Sequence, residues 1–395
     1  MTVILPSVQN DGPAPSAAPA APLSLLRAGG VLSRLAELTG LVHRPVDHEP
    51  IPVVTRGPVA PLRPGVPFTV LCWNIQFAGT RRLKFFYDGG DAVHVPAVDR
   101  ELGLAGISEE LRAADADIVL LQEVDRDSDR TGRVDELGAL LERAPYPAFA
   151  SAPCHRSRFV PVPTRAPLGR VDMHVAMLAK VPLESAIRIQ LPLLREPRWR
   201  RAFNLKRCLL WAQVPIDGWE RPLHVAVTHL AAFSRGDGTL GRQVAVLSQW
   251  MEDRERAGDP FVLGGDLNLL PPGDDPLRLG ADAIEYGDRP NPIEVLIPRF
   301  RTVIPPSELR DSDNATYLPW GAVVADRMLD YLFVSDGIEV VEAGPVSRRE
   351  PVSDHHPLRA TLCLVRPPGT GAARSPVLAS APGEPASRRG PGEVP

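Results

Sequence analysis

Cysteine is scarce. The 395 residues hold four, Cys72, Cys154, Cys208 and Cys363, and no two form a CxxC pair. That spacing excludes a disulfide framework and a cysteine zinc site, and leaves them as buried thiols. No apolar run reaches the ~18 residues of a membrane span, so no transmembrane segment is expected. Residues 1–16 lack a basic stretch followed by an apolar one. No secretory leader is expected, and a cytoplasmic location is the default. Positive charge is not in excess: 44 Lys+Arg face 48 Asp+Glu. Away from the two ends of the chain the balance is 36 to 42, which is not the footprint of a protein that grips nucleic acid by charge alone.

Proline is plentiful, at 44 residues, and unevenly spread: residues 1–65 hold 11 and residues 367–395 hold 7. Both ends offer too little apolar surface to offset chain entropy. Residues 1–67 therefore read as a mostly disordered segment and 367–395 as a disordered tail. Leucines at helical spacing predict one short helix over 23–39, which docks on the core, touches a membrane surface or stands idle. The stretch 68–366 is long enough for a sizeable core.

Within that stretch, short apolar runs predict strands over 68–75, 117–124, 174–180, 207–216, 223–230, 261–268, 329–335 and 358–365. Helical spacing appears over 107–116, with Ser108 as N-cap, over 134–144 and over 241–257. Strands separated by helices argue an α/β fold with sheets buried on both faces.

The strand ends carry the chemistry. They place Asn74, Glu123, His229, Asp266, Asn268 and Asp330 at run termini, and Asp354-His355 precedes the last strand. Polar groups are costly to bury without partners, so a series of them predicts convergence on one cleft. Glu123, Asp266, Asp354, Asn74 and Asn268 offer hard oxygen donors, suited to Mg²⁺ or to Mn²⁺ in its place. His229 and His355 show no zinc spacing. A hard cation beside imidazoles and carboxylates suits phosphoester hydrolysis.

In chain order the motifs are CWNI (72–75), LQEV (121–124), VTHL (227–230), GGDLN (264–268), RMLDYLF (327–333) and SDHHPL (353–358). Together they resemble the endonuclease/exonuclease/phosphatase superfamily, in its deoxyribonuclease I-like and neutral sphingomyelinase-like branch. The resemblance covers about 68–366. It implies a four-layer α/β sandwich, two packed mixed sheets flanked by helices, with the site at one end. It implies a Mg²⁺-dependent phosphodiesterase, with Glu123, Asn74 and Asp354 at the metal. Asp266 would orient or deprotonate water, Asn268 would hold a phosphate oxygen, and His355, fixed by Asp330, would contact the scissile phosphate. The resemblance leaves the base as either Asp266 or His355. His229 would stabilise the transition state or assist the leaving group. Its histidine departs from the tyrosine-based motif of exonuclease III-like enzymes.

The substrate stays open between nucleic acid and a phospholipid head group, with a catalytically dead scaffold as the remaining contrast. A basic stretch, LREPRWRRAFNLKR (194–207), either holds a polyanion or an anionic lipid surface, or is a solvated edge. Arg207 at its end is a candidate substrate contact. RRLKFFY (81–87) and LLPPGDDP (269–276) are candidate substrate-facing loops, and TYLPW (316–320) reads as structural. His356 is a bystander, and His94, His155, His174 and His224 match no motif.

Overall fold

The computed structural model describes residues 46–365 except 145, 233, 235, 348 and 349. The helix expected over 23–39 and the tail expected over 367–395 lie outside the described residues.

In chain order the described strands are β1 His48–Ile51, β2 Val54–Thr55, β3 Pro67–Asn74, β4 Ile118–Asp125, β5 Ala148–Val160, β6 Gly169–Ala179 and β7 Glu184–Gln190. They continue as β8 Cys208–Val214, β9 Leu223–His229, β10 Phe261–Asp266, β11 Arg301–Thr302, β12 Asp330–Val334, β13 Ile338–Pro345 and β14 Leu358–Leu364. The α-helices are α1 Ala97–Ala114, α2 Glu136–Arg143, α3 Arg198–Phe203, α4 Thr239–Ala257 and α5 Ile293–Leu296.

The strands form two seven-stranded mixed sheets, β1-β7-β8-β9-β10-β12-β11 and β13-β14-β3-β4-β6-β5-β2. Each has one parallel pair at its heart, β9 with β10 and β3 with β4. Alternation along β3 shows why these strands read as unbroken apolar runs. Val70 and Cys72 face the other sheet in the main core, and Leu71 and Trp73 face outward in a second core. The outward side is covered by Leu104, Ile107 and Leu111 of α1 and by Leu137 and Leu140 of α2. On the far sheet, Leu240, Val244, Leu247 and Met251 of α4 complete the main core. Helix, sheet, sheet and helix therefore stack as four layers, the α/β sandwich that the motifs imply.

The two sheets approach closely at Gly264. A Cβ there would lie 2.6 Å from Leu332 on the neighbouring strand and 2.8 Å from Leu120 on the facing sheet. The absence of a side chain lets the sheets close two residues before Asp266.

Three expectations need correction. Residues 48–55 lie in the Pro-rich stretch expected to be disordered, yet they form β1 against β7 and β2 against β5. Both are edge strands, where proline removes no needed ladder bond. Helix α1 starts at Ala97, ten residues before its expected start. Ser108 is not its cap: it is buried mid-helix, and its Oγ donates to the Leu104 carbonyl at 2.7 Å. β5, β7 and β13 escaped notice because bulges and charged residues interrupt their alternation, as at Pro153/His155 in β5.

Candidate active site

Strand register brings the first residues together. Asp266 at the end of β10 pairs in register with His229 at the end of β9 on one side and with Asp330 at the start of β12 on the other. Three chemistry-bearing residues thus stand side by side at one sheet end. On the facing sheet, Asn74 ends β3 and pairs with Gln122 of β4. Asn74 Nδ2 crosses between the sheets and donates to Asp266 Oδ2 at 3.1 Å. Asn74 Oδ1 accepts the Gln76 amide at 3.1 Å, fixing the amide's orientation.

Glu123 follows Gln122 at a β-bulge, where the register between β4 and β6 shifts between Leu121 and Val124. Its φ of 58° lies in the left-handed region, rare for a residue with a Cβ. Bulges re-aim side chains, and this one takes Glu123 out of the apolar alternation. Its Oε1 lies 3.9 Å from His229 Nδ1. Just beyond, Arg130 forks onto Asp125 at 2.7 and 2.9 Å and stacks 3.7 Å from the Phe77 ring centroid. This fully buried clamp holds the segment that follows Glu123. Phe77 belongs to a run, Gln76 to Ala78, with φ between 41° and 49°. Backbone strain therefore sits on both segments that enter the site from this sheet.

A buried relay joins the two ends. Asp330 Oδ2 meets His355 Nδ1 at 2.7 Å. His355 Nε2 lies 3.6 Å from Asp266 Oδ2, and His229 Nε2 lies 3.2 Å from the same oxygen. Thr316 Oγ1 accepts the amides of Leu329 and Asp330, and Trp73 Nε1 donates to the His355 carbonyl at 2.8 Å. Ser353 Oγ bridges the Asn74 carbonyl and the His355 amide. Asp266 Oδ1 accepts the Asn268 amide at 3.0 Å, which supports the left-handed φ of 52° at Asn268. Asn268 Nδ2 donates to the Leu230 carbonyl at 3.2 Å.

The charges are unequal. Burial works against a charged His355, but Asp330 and Asp266 outweigh it and raise the imidazole to about 10. Burial, with Arg207 adding to it, pushes His229 down to about 3. Burial alone would raise Asp266; the imidazoles of His355 and His229 instead hold it well below the ordinary carboxylate range. At neutral pH His355 is therefore cationic, His229 neutral and Asp266 anionic.

Asp354 behaves differently. Burial and the nearby Glu123 raise it to about 6, against the pull of His355 and Arg81. Burial, Asp354 and Glu123 also raise Asp88 to about 7. Negative charge that raises its own carboxyl pKa values is charge that a divalent cation would offset. The Glu123 and Asp354 carboxylates and the Asn74 amide oxygen are hard donors, so the set fits Mg²⁺ or Mn²⁺. Asp266, Asp330 and His355 also present ligand atoms within 4.8 Å of one another. His355 and Asp330 already hold each other by a hydrogen bond, and Asp266 faces the same imidazole at 3.6 Å as a charge contact, so we read this trio as an electrostatic relay.

A groove of about 300 Å³ opens over Asn268, Asp354 and His355. Its walls include Lys84, Tyr87 and Asp88 from the expected 81–87 loop, and Tyr317 and Trp320 from the TYLPW stretch. Asp282, Glu285, Tyr286 and Arg327 line it too, and no motif pointed to them. Their signal was position beside the proline-fixed loop, not residue pattern. That loop, with Asp274 and Pro276, walls a second cavity of about 400 Å³, which Asn268 and Tyr286 also line. Among the described residues the buried Tyr87 hydroxyl has no hydrogen-bond partner. Arg81 donates to the carbonyls of Leu318 and Pro319, tying the 81–87 loop to the TYLPW stretch.

Of the expected residues Asn268, Asp354 and His355 line the groove, while Asn74, Glu123, His229, Asp266, Asp330 and Arg207 are buried and do not. Arg207 is 2% exposed and does not line the groove; its charge is felt at Glu123, Asp266 and His229 instead. No described residue of the basic 194–207 stretch lines the groove. His229 is fully buried and also lies off the groove wall.

The sequence profile of the endonuclease/exonuclease/phosphatase family matches residues 71–355. Among curated proteins, none matches the chain. An endonuclease/exonuclease/phosphatase from Beutenbergia cavernae DSM 12333 aligns over 77% of this chain and 73% of its own, with 21% identity and a TM-score of 0.55. The human Nocturnin catalytic domain with bound sulfate aligns over 80% and 97%, with 18% identity and a TM-score of 0.49. A humanised D. rerio TDP2 aligns over 75% and 98%, with 17% identity and a TM-score of 0.46. These structural likenesses concern the fold. The profile match spans most of the chain, so the chain belongs to the endonuclease/exonuclease/phosphatase family.

Proposed function

We propose that this member of a family of phosphoester hydrolases is a Mg²⁺-dependent phosphodiesterase. The observation that carries the reading is the relay Asp330–His355–Asp266–His229, assembled by strand register and joined to Asn74 on the facing sheet. In this reading Glu123 and Asp354, with Asn74, hold the cation, which when bound polarises the phosphoryl oxygens.

The protein's own groups divide the remaining work. His355 keeps its proton because Asp330 and Asp266 stabilise the imidazolium. It faces the groove and donates to a phosphate oxygen, as a preorganised charge aimed at the developing negative charge. A group that holds its proton this firmly is a poor base at neutral pH. Asp266 stays ionised and accepts a hydrogen bond from the attacking water, so the electrostatics favour Asp266 over His355 in that role. Asn268, part-exposed beside it, has an amide N–H left for a second phosphate oxygen. His229, whose Nε2 lies 3.2 Å from Asp266 Oδ2, serves here as a positioning residue for Asp266. The groove walls carry Asp88, Asp282, Glu285 and Asp354 beside Lys84, Arg327 and His355.

The test is hydrolysis of bis-p-nitrophenyl phosphate and p-nitrophenyl phosphate with Mg²⁺, Mn²⁺ or EDTA. Wild type, Asp266→Ala and His355→Ala are compared. The expected result is metal-dependent cleavage that favours the diester and falls by at least 100-fold in both variants. Variants as active as wild type would overturn the assignment.

A further inference from the structure

Tyr87 lines the groove together with Asp88 and Asp354, yet the chemistry proposed above leaves it idle. Among the described residues its buried hydroxyl has no hydrogen-bond partner. A buried donor left unpaired costs free energy, so native structures rarely keep one without a reason. Phenylalanine would fill the same space at no such cost.

The hydroxyl cannot swing away to find a partner. The Tyr87 ring stacks on Phe85, with centroids 5.4 Å apart and planes 20° from parallel. Phe86 and Phe77 meet it edge-on, at 5.2 and 6.4 Å. Phe77 is itself pinned by the Arg130 guanidinium, 3.7 Å from its ring centroid. Arg130 in turn forks onto Asp125, the last residue of β4, two positions past Glu123. One clamp therefore steadies both the Tyr87 ring and the strand end that carries Glu123. The phenol oxygen is fixed, so its acceptor must come to it.

The surrounding charge says which acceptor is at hand. Burial, and then Asp88, Glu123 and Asp354, hold the Tyr87 phenol well above its ordinary pKa, so it keeps its proton and stays a donor. The charges that act on it most are thus carboxylates, and Glu123 and Asp354 are the two fitted to the cation. Among the described residues the Asp354 carboxylate accepts only from Ser353 Oγ, at 3.3 Å. Carboxylate side chains turn when a cation draws them, whereas the packed ring does not. A carboxylate that ligates a metal is in turn held by outer hydrogen-bond donors, which fix its orientation.

We propose that Tyr87 is a positioning residue for the cation, its hydroxyl donating to the Glu123 or Asp354 carboxylate when Mg²⁺ or Mn²⁺ is bound. The proposal rests on the cation assignment made in the phosphodiesterase reading, but metal binding itself needs no catalysis. It gives Tyr87→Phe two effects of opposite sign. Without the cation, removing an unpaired buried hydroxyl relieves the fold. With the cation, removing the outer donor loosens a ligand.

The test compares the full wild-type chain with Tyr87→Phe. Isothermal titration calorimetry measures the affinity for Mg²⁺ and for Mn²⁺, and thermal melts in EDTA measure the metal-free fold. The variant is expected to bind both ions roughly 10- to 100-fold more weakly, the loss seen when outer partners of metal ligands are removed. In EDTA it is expected to melt no lower than wild type. Equal affinity in the two proteins would overturn the proposal and leave the phosphodiesterase reading standing. A variant that melts well below wild type in EDTA would also overturn it, because the hydroxyl would then be a structural group. A wild type that binds neither ion would remove the cation assignment and the proposal with it. A wild type that binds Mg²⁺ with the expected difference, but cleaves no bis-p-nitrophenyl phosphate, would sink the phosphodiesterase reading and leave the role of Tyr87 standing.

Discussion

Replacing Gly265 with alanine tests whether strand register builds the site. A Cβ at Gly265 would lie 2.1 Å from the Thr228 carbonyl oxygen and 2.9 Å from its carbon. Both atoms are backbone of β9, one residue before His229. Cβ contacts below 3.0 Å are not tolerated, so β9 and β10 must part by about 1 Å. The His229 to Asp266 contact, now 3.2 Å, lies at the next register pair and opens with it. A misplacement of about 1 Å in a catalytic group can cost on the order of 100-fold in rate. Overpacking adds a stability loss of roughly 1–3 kcal/mol. Gly264→Ala is the control. Its Cβ meets the ends of the Leu332 and Leu120 side chains, which can rotate. Urea denaturation and kcat on bis-p-nitrophenyl phosphate should therefore rank Gly265→Ala well below Gly264→Ala, and Gly264→Ala below wild type. Equal activity in the two variants would refute the argument.

Other perturbations read separate parts of the molecule. Asp330→Asn removes the largest favourable charge on His355, so the imidazole pKa should fall from about 10; a proton-NMR titration that left it unmoved would refute the pairing. The same variant should lose roughly 100- to 1000-fold in kcat, as for removal of a transition-state donor. Arg130→Met leaves Asp125 buried and unpaired, which should cost roughly 3–5 kcal/mol by chemical denaturation; a loss below 1 kcal/mol would mean the clamp is idle. Stability should also fall with acid. Burial holds His155 at about 3 and His224 at about 4, below the ordinary 6.5. Between those values the unfolded chain binds more protons, so stability is full above pH 6.5 and declines as pH falls toward 3. By pH 4.5 His155 alone withdraws roughly 2.5 kcal/mol, and His224 acts in the same direction. Urea midpoints unchanged between pH 7 and 4.5 would contradict this.

The parallel pairs at the centre of each sheet were legible because they are buried on both faces. FTVLCWNI, DIVLLQEV, LHVAVTHL and FVLGGDLN are apolar runs that end in polar residues, and each became a strand ending at the site. What stayed hidden is what alternation cannot reveal. β1 and β2 are short edges within proline-rich sequence. Helix α1 begins among residues whose apolar spacing is weak, and Gly103 and Gly106 interrupt its pattern. In the site, the residues at strand ends were legible and the walls were not. Asp282, Glu285, Tyr286 and Arg327 come from irregular segments whose approach depends on long-range bonds such as Arg327 to Asp282. The bulge at Glu123 was equally silent, because a bulge is set by the partner strand. Roles followed the same divide: the sequence left Asp266 and His355 open as base, and the preference for Asp266 in the reading proposed above rests on the pairing of His355 with Asp330.

The surplus of buried acid beside the relay gives one more consequence for stability. Asp88 is raised to about 7, chiefly by burial and then by Asp354 and Glu123. Its folded value lies above its unfolded one, so above pH 7 the ionised form strains the folded state. That cost is absent below the unfolded pKa near 4 and grows as pH rises through the folded value. Asp88→Asn removes the charge and keeps the shape. At pH 8 in EDTA the variant should be more stable than wild type by roughly 1–3 kcal/mol, after allowance for partial exposure. With saturating Mg²⁺ the advantage should shrink, since a cation at Glu123 and Asp354 would offset the field that raises Asp88. Thermal melts of both proteins with and without Mg²⁺ measure the difference. An advantage of equal size in the two conditions would mean that no cation answers this charge, and Glu123 and Asp354 would lose their place as its ligands.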